Sequence, residues 1–469
     1  LIDDYHPQRE YNAAYFTPYF ETEKRSTSPL PNPVLHFYQL KAFHPLSLQF
    51  NSIGIPVSFS CPTHPHTMAS STTHTPITIN IHPSPLPTPS TKAYDLIVIG
   101  GGSSGEMTAM RATRGGLTAL LIESELVGGE CPYWACVPSK ALLRPGDVLS
   151  AGGAVGGARE ITKDAKPVLD GVWKRRDFFT KSWTDGANVK LMADHGVDVV
   201  RGFGRIAGVK KVHVQAWGSS ERIEYEARHA VAVCTGSGPV IPRGIAGLAE
   251  AKPWTPREAV SASSVPAHLV VVGSGPVGCE LATAFVGFGG QVTLVAGGGS
   301  VLRRFEPEAG RRVREGLREK GVDVKLGTEV VKVERKGDGR VEVELAGGEI
   351  VTGSEILVAA GRRPKTTDIG LDTVGLEDGS VPHVDDTLCV QSVPGEWLYA
   401  VGDTNGQAPL THMGKYSGKV AGDTIAARAK GTLTKEATAR AFGPYSATAQ
   451  HAAYTPQVTF TDPQVASVG

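Results

Sequence analysis

The chain has 469 residues, room for about three domains, and its 47 basic residues balance 47 acidic ones. That balance gives no electrostatic footing for nucleic acid, and no uninterrupted apolar stretch is long enough to span a bilayer, so neither partner is expected. Six cysteines in a chain of this length do not make a disulfide framework.

Residues 1–92 carry no domain signal. From 25 to 92 there is no Asp or Glu, and Ser, Thr and Pro dominate, as in His82-Pro83-Ser84-Pro85-Leu86-Pro87-Thr88-Pro89. Such a segment lacks apolar periodicity and is expected to be disordered or foreign to the mature protein. Met68-Ala69-Ser70-Ser71 reads as an initiator, which would leave residues 1–67 outside the mature chain. A transit peptide would also be acid-poor and Ser-rich but should carry more Arg than this stretch does. A cytoplasmic location is therefore expected, with a mitochondrial one as the alternative.

Tyr94-Asp95-Leu96-Ile97-Val98-Ile99 has the pattern of a buried strand and runs straight into Gly100-Gly101-Gly102-Ser103-Ser104-Gly105. A helix is expected over 106–114 and a second strand over 117–122, ending at Glu123. This is a dinucleotide fingerprint: Gly100 for the turn, Gly102 for close approach to a pyrophosphate, Gly105 for helix packing, Glu123 for ribose hydroxyls. The pyrophosphate would sit at the helix N-terminus, where free N–H groups favour negative charge.

Two cysteines follow almost at once, in Gly128-Gly129-Glu130-Cys131-Pro132-Tyr133-Trp134-Ala135-Cys136-Val137-Pro138-Ser139-Lys140. In mid-helix, residues i and i+5 point apart, so a bridge between Cys131 and Cys136 needs a non-helical entry. Pro132 suits that entry at a first helical position, and Pro138 is expected to loosen the helix just past Cys136. A pair of structural thiols is the plainer reading. No second Cys or His cluster completes a metal site, so no metal is expected. Cys234 and Cys389 lie in strand-like runs and read as small core hydrophobes, Cys279 opens a helix and Cys61 lies in the tail.

A second fingerprint starts at His268-Leu269-Val270-Val271-Val272 and continues with Gly273, Gly275 and Gly278. A helix over 279–288 and a strand over 291–295 follow. Its acid is missing: Ala296-Gly297-Gly298-Gly299 stands there instead, which removes a bias toward NAD. Arg303 and Arg304 lie just beyond, either as holders of a 2′-phosphate or as solvated first-turn arginines. The cofactor is NAD(P), tilted to NADP. Near the other end, residues 455–463 read as a new strand, and a chain stopping at Gly469 leaves that sheet barely begun, so a truncation is expected.

Nicotinamide delivers two electrons as hydride and a disulfide accepts two. Two dinucleotide units with a cysteine pair directly after the first therefore suggest a relay with a flavin between them.

With both glycine motifs, Cys136-Val137-Pro138-Ser139-Lys140, Cys234-Thr235-Gly236-Ser237, Ala360-Gly361-Arg362-Arg363-Pro364 and Tyr399-Ala400-Val401-Gly402-Asp403, the chain from about Ala93 to Gly469 resembles the pyridine nucleotide–disulfide oxidoreductases. That is the family of dihydrolipoyl dehydrogenase, glutathione reductase and mercuric reductase. The resemblance implies an α/β protein with two Rossmann-like domains and a C-terminal α+β dimerisation domain mostly missing. It implies FAD in the first unit, with Glu123 on the adenosine ribose, Gly204 at the adenine, Thr235 and Gly236 in a cofactor-contacting turn, and Asp403 on the ribitol side. Leu410, Thr411 and His412 would lie near the isoalloxazine. Lys140 and Glu280 would form an ion pair beside the flavin's reactive nitrogen, and Gly361 and Glu280 would line the nicotinamide side. Cys131 would exchange with substrate, and Cys136 would face the flavin as a thiolate.

The implied layout is a FAD-binding domain in two parts, 93–238 and 357–440, an NAD(P)-binding domain at 239–356, and the start of the dimerisation domain at 441–469. The full-length protein would be a homodimer acting on a small-molecule or disulfide substrate, nearest to dihydrolipoyl dehydrogenase. The family's His–Glu acid–base couple has no counterpart among these residues, and the chain as given is expected to turn over dithiols poorly. Three features depart from the family pattern: Pro132-Tyr133-Trp134-Ala135 between the cysteines, Glu130 before them, and the missing C-terminal part. Two aromatics in the turn would narrow access for a lipoyl arm or stack with another substrate. Alternatives are a mercuric-reductase-like enzyme, a quinone reductase using flavin directly, and a catalytically inert flavin-binding module.

Overall fold

Residues 81–469, apart from 87, 88, 90 and 218, are described by a computed structural model of the chain. They fall within Ala69–Gly469, one of the two units into which the chain divides. The expectations placed on residues 1–67, Met68 and Cys61 lie outside the described residues.

β1 (Ala93–Ile99) and β2 (Ala119–Glu123) are Val-, Leu- and Ile-rich and almost wholly buried, the composition of interior parallel strands. α1 (Ser103–Arg114) connects them, and they pair in parallel with Leu96 opposite Ala119. β3 (Val197–Arg201) flanks β2. β4 (Phe203–Ile206), β5 (Lys211–Gln215) and β6 (Arg222–Val233) form an antiparallel meander that brings β6 parallel to β1. The order is β3-β2-β1-β6-β5-β4.

Between β2 and β3 lie α2 (Glu130–Tyr133), α3 (Cys136–Ala154), α4 (Arg159–Thr162), α5 (Leu169–Phe179) and α6 (Gly186–Asp194). α3 opens at Cys136, so Pro138 falls in its first turn, where the missing N–H would have had no helical partner. The loosening expected there does not occur: the helix runs on past Pro138 and past Pro145. Pro132 is the third residue of the one-turn α2, not its first.

β7 (Ser237–Pro239) carries the chain out of this first nucleotide fold. α7 (Pro256–Ser261), β8 (His268–Val272), α8 (Pro276–Gly287), β9 (Gln291–Ala296), α9 (Pro307–Glu319) and β10 (Asp323–Leu326) then build a second. The antiparallel meander β11 (Val330–Arg335), β12 (Val341–Leu345) and β13 (Ile350–Gly353) precedes β14 (Glu355–Val358), which returns beside β8. Its parallel sheet has the order β10-β9-β8-β14. β15 (Arg362–Pro364) pairs antiparallel with β7, so the outgoing and returning segments lie side by side.

β16 (Leu398–Ala400) then rejoins the first sheet beside β6, with Leu398 opposite Val231. α10 (Thr411–Ala429) lies along α1 at a separation only glycine allows: a Cβ on Gly418 or Gly422 would stand 2.5 Å from the carbonyl oxygen of Ser104 or Thr108. β17 (Pro456–Thr459) and β18 (Val465–Val468) close the chain as a hairpin.

Cys234, Cys279 and Cys389 are buried, as expected of core thiols, and burial pushes them up to about 12, 12 and 11. The segment before residue 92 departs from expectation where it is described. Ile81 packs on Leu126, Tyr133 and Trp134, the His82 N–H donates to the Trp183 carbonyl at 3.0 Å, and the Ser84 N–H donates to the buried Asp185 at 2.7 Å. Apolar contacts of Ile81 and Leu86 and these two backbone bonds hold this stretch where its composition offered no periodic signal.

Candidate active site

The phosphate cradle follows from glycine. Gly100 turns the chain at φ +105°, and a Cβ on Gly105 would stand 1.9 Å from the Gly100 carbonyl oxygen. Gly102 caps α1 with no side chain, leaving the first-turn N–H groups for an anion. Glu123 ends β2 buried, its two oxygens each taking an N–H at 2.7 Å, from Gly101 and from Glu125. Burial raises its pKa against the pull of those donors. Gly204 packs on the tips of Ile99 and Ile122, where any Cβ would approach within 3.2 Å.

On the far side, Ser237 donates to Asp403 at 2.6 Å, and the Gly236 N–H donates to Thr404 at 3.1 Å. The Thr235 hydroxyl donates to the Lys365 carbonyl at 2.6 Å. Gly402 and Gly414 both crowd the Ser104 hydroxyl, so the Asp403 turn and the start of α10 meet the N-terminus of α1.

The redox turn crosses the same place. The Gly128 N–H donates to the Gly101 carbonyl at 2.7 Å, and a Cβ on Gly129 would lie 2.7 Å from Gly102 Cα. α2 lasts one turn, the backbone breaks at Trp134 (φ −136°) and Ala135 (φ −131°, ψ −103°), and α3 starts at Cys136. That break lets residues five apart converge. Cys131 and Cys136 are free thiols hydrogen-bonded to one another, the dithiol form of the expected pair.

The bond from Cys131 holds Cys136 down at about 6, helped by the Thr411 hydroxyl 3.2 Å away and the Lys140 ammonium, and opposed by burial. The same bond and burial push Cys131 up.

Tyr133 and Trp134 do not face a substrate. Both are buried beneath the turn, packed with Leu126. The Tyr133 hydroxyl donates to the carbonyls of Val127 (3.1 Å) and Thr184 (3.2 Å), and Trp183 Nε1 donates to the Tyr133 carbonyl at 3.1 Å. The expectation that they narrow or line the acceptor path is therefore corrected: they brace the turn from inside.

Lys140, one turn on along α3, meets the buried Glu280 of α8 at 2.6 Å. The second Glu280 oxygen accepts the Phe460 N–H at 2.9 Å, and the Phe460 ring centre lies 4.9 Å from Lys140 Nζ. Cys136, Lys140, Leu410, Thr411 and His412 line one cavity of about 720 Å³ with the β17–β18 hairpin, and His412 Nε2 lies 2.8 Å from the Pro456 carbonyl oxygen.

The second nucleotide fold repeats the first. Gly273 has φ +112°, a Cβ on Gly278 would stand 2.0 Å from its carbonyl oxygen, and Gly275 caps α8 without a side chain. Gly361 (φ +126°) borders open space. At the end of β9, Arg303 is exposed and folds back over Gly298, 3.1 Å from the position of a Cβ there. Sequence reading missed Phe460, Arg257 and Glu329. The last brings its carboxylate to Gly297, 3.2 Å from a Cβ position. None of the three stands in a local motif; each reaches the site from a distant segment.

The sequence profile of pyridine nucleotide-disulphide oxidoreductases matches residues 94–418. The chain belongs to that family. The dihydrolipoyl dehydrogenase of Haloferax volcanii is 32% identical over 387 residues, covering 80% of this chain and 75% of that protein. The mercuric reductase of Staphylococcus aureus is 27% identical over 380 residues, 80% of this chain and 64% of that one.

Among solved structures, the flavoprotein disulfide reductase RclA of Escherichia coli superposes with a TM-score of 0.66 at 20% identity. LpdA of Mycobacterium tuberculosis does so with 0.65 at 24%. Each comparison covers 81% of this chain and 78% of the other, and establishes the α/β fold.

This family member is an FAD-dependent oxidoreductase whose second cofactor is NAD(P). The residues present fit FAD: a backbone cradle at Gly100–Gly105 that side chains would fill, a buried ribose acid, and a cavity ending on Cys136. Among the described residues, no helix is long and apolar enough to cross a membrane.

Proposed function

We propose that this chain reduces a small disulfide, in the manner of a dihydrolipoyl dehydrogenase run toward the dithiol, with Cys131 and Cys136 as its exchanging pair. The supporting observation is that the Cys136 thiol, the Lys140 ammonium and Thr411 share one cavity beside the phosphate cradle. The FAD-binding part is 93–238 with 357–440, the NAD(P)-binding part is 239–356, and 441–469 opens a dimerisation domain. The full-length enzyme is read as a homodimer of the cytoplasm, with the mitochondrion as the alternative location.

FAD, when bound, supplies a two-electron carrier between the nicotinamide and the sulfurs. Gly100, Gly102 and Gly105 would hold its pyrophosphate, Glu123 its ribose and Asp403 its ribitol side. Lys140, kept in place by Glu280, presents a positive charge where negative charge develops on reduction.

Cys131, held as a thiol, gives up its proton as it attacks one sulfur of the acceptor, and the other sulfur leaves and takes up a proton. Cys136 then attacks Cys131, closing the intramolecular disulfide and releasing the second acceptor thiolate, which is protonated in turn. Two electrons have passed from the pair to the acceptor. Cys136 suits the second step because the Thr411 hydroxyl and the Lys140 ammonium still favour its thiolate once Cys131 no longer donates to it.

The test is an anaerobic titration of FAD-loaded protein with NADPH or NADH, counting thiols before and after. Two new thiols per chain are expected, none in Cys136→Ser, together with slow reduction of lipoamide or a related disulfide. Quinone reduction undiminished in Cys136→Ser, with no thiols gained in the unsubstituted chain, would favour direct use of flavin and defeat this reading.

A further inference from the structure

The redox turn has little backbone of its own to hold it. α2 is four residues long, and Trp134 and Ala135 are not helical. Disulfide formation nevertheless demands a narrow sulfur geometry. Side chains from elsewhere must fix the turn.

Arg257 is the chief of them. It sits at the second position of α7, whose start is fixed by a capping box between Thr255 and Glu258. Its guanidinium lies 3.8 Å from the Trp134 ring centre. It donates to both oxygens of Glu125 at 2.9 Å and to Glu130 at 3.0 Å. Glu130 immediately precedes Cys131, and Trp134 lies between the cysteines, so one planar cation grips both ends of the turn.

From the returning strand side, Lys365 Nζ comes within 3.4 Å of Glu130 and Arg362 within 3.7 Å. Arg362 is itself tied to Ser237, donating to its hydroxyl at 2.9 Å and its carbonyl at 2.6 Å. The returning segment therefore reaches the residue in front of Cys131 directly, and the outgoing one steadies it through Ser237.

We propose that Arg257 is a positioning residue that sets the dithiol–disulfide equilibrium of Cys131 and Cys136 by clamping Glu130 and Trp134. This rests on the disulfide-exchange reading given above. A guanidinium suits the role where an ammonium would not, because only its planar fork can stack on an indole while donating to two carboxylates. The clamp fixes Glu130 and Trp134, the residues that set where Cys131 and Cys136 stand, in one arrangement. Its loss therefore changes the balance between dithiol and disulfide.

The experiment equilibrates FAD-loaded protein with oxidised and reduced dithiothreitol at fixed ratios, without nicotinamide or acceptor, and counts thiols by alkylation and mass. Arg257→Met is expected to shift the equilibrium at least roughly tenfold, about 30 mV for this two-electron couple. Glu130→Gln is expected to shift it the same way by less, and Arg257→Lys to recover only part. If Arg257→Met fails to retain FAD, Glu130→Gln carries the test, since it leaves the Trp134 stack and the Glu125 pair intact.

An unchanged equilibrium in Glu130→Gln together with Arg257→Met overturns the clamp, as does a shift fully recovered by Arg257→Lys. An unsubstituted chain that forms no Cys131–Cys136 disulfide at any ratio defeats the exchange reading itself, and the clamp with it.

Discussion

Phe460 touches both members of the Lys140–Glu280 pair: its N–H binds the Glu280 oxygen that Lys140 leaves free, at 2.9 Å, and its ring faces the ammonium at 4.9 Å. Each carboxylate oxygen thereby has a donor, and the ammonium cannot swing away without losing both Glu280 and the Phe460 ring. Glu280→Gln breaks the pair while keeping the amide-sized volume. Flavin reduction by the nicotinamide is expected to slow roughly tenfold or more in stopped flow. Stability should fall by about 1–2 kcal/mol in a urea titration, at the low end for a buried pair because Lys140 is partly exposed. An unaltered reduction rate would separate the pair from the cofactor.

Alkylation should report the displaced thiol. Iodoacetamide trapping of reduced protein is expected to show one cysteine whose reactivity rises through about pH 6, that of Cys136. In Cys131→Ala the first donor is lost, so the midpoint moves up toward the ordinary thiol range, while Thr411→Val moves it up by less. The sign follows from which form the bonds favour: they stabilise the thiolate, so removing them makes the proton harder to lose. A midpoint that stays near 6 in Cys131→Ala would rule out the thiol–thiol bond as its cause.

Just beyond β9, Arg303 folds over Gly298 and Glu329 brings a carboxylate to Gly297, the two groups that would meet the far end of a dinucleotide's adenosine ribose. Arg303→Gln is expected to raise KM for NADPH roughly 10- to 100-fold, matching the loss of charge-assisted hydrogen bonds worth about 1.5–3 kcal/mol. KM for NADH should stay within about twofold, since that ligand carries no phosphate there. Steady-state dye reduction with each nucleotide decides it. Should Glu329→Gln instead raise KM for NADH alone, the carboxylate at Gly297 is the working ribose contact and NAD the natural partner.

Tyr133→Phe tests the bracing role of the turn's aromatics. Loss of a hydroxyl shared between the Val127 and Thr184 carbonyls should cost about 0.5–1.5 kcal/mol in urea unfolding. KM for a disulfide acceptor should not change, because the ring is buried away from any approach to Cys131. A changed KM with unchanged stability would restore a substrate-facing role.

Much of the fold was legible because its signals are local. Gly100 and Gly105 are dictated by contacts within a few residues of themselves or with the adjoining strand, and the apolar runs of β1 and β8 need no partner to be recognised. The cysteine spacing was legible too, but its mechanism was not. Sequence gave a proline-led entry, whereas the turn works by a break at Trp134 and Ala135. Which way Tyr133 and Trp134 point depends on Leu126, Trp183 and Ile81, scattered over a hundred residues, so composition alone made them look like a gate. Phe460 and Arg257 escaped notice for the same reason: each acts on a partner more than a hundred residues away through a contact that leaves no periodic mark.

The pairing of Arg362 with Pro239 has an engineering consequence. An insertion whose two ends emerge as neighbouring strands can be lifted out and its host rejoined by a short bridge, since opposed residues in such a ladder are only about 5 Å apart. A segment from a relative spliced at this strand pair must therefore bring its own counterparts of Arg257 and Glu280, which reach from the insertion to Glu130, Trp134 and Lys140.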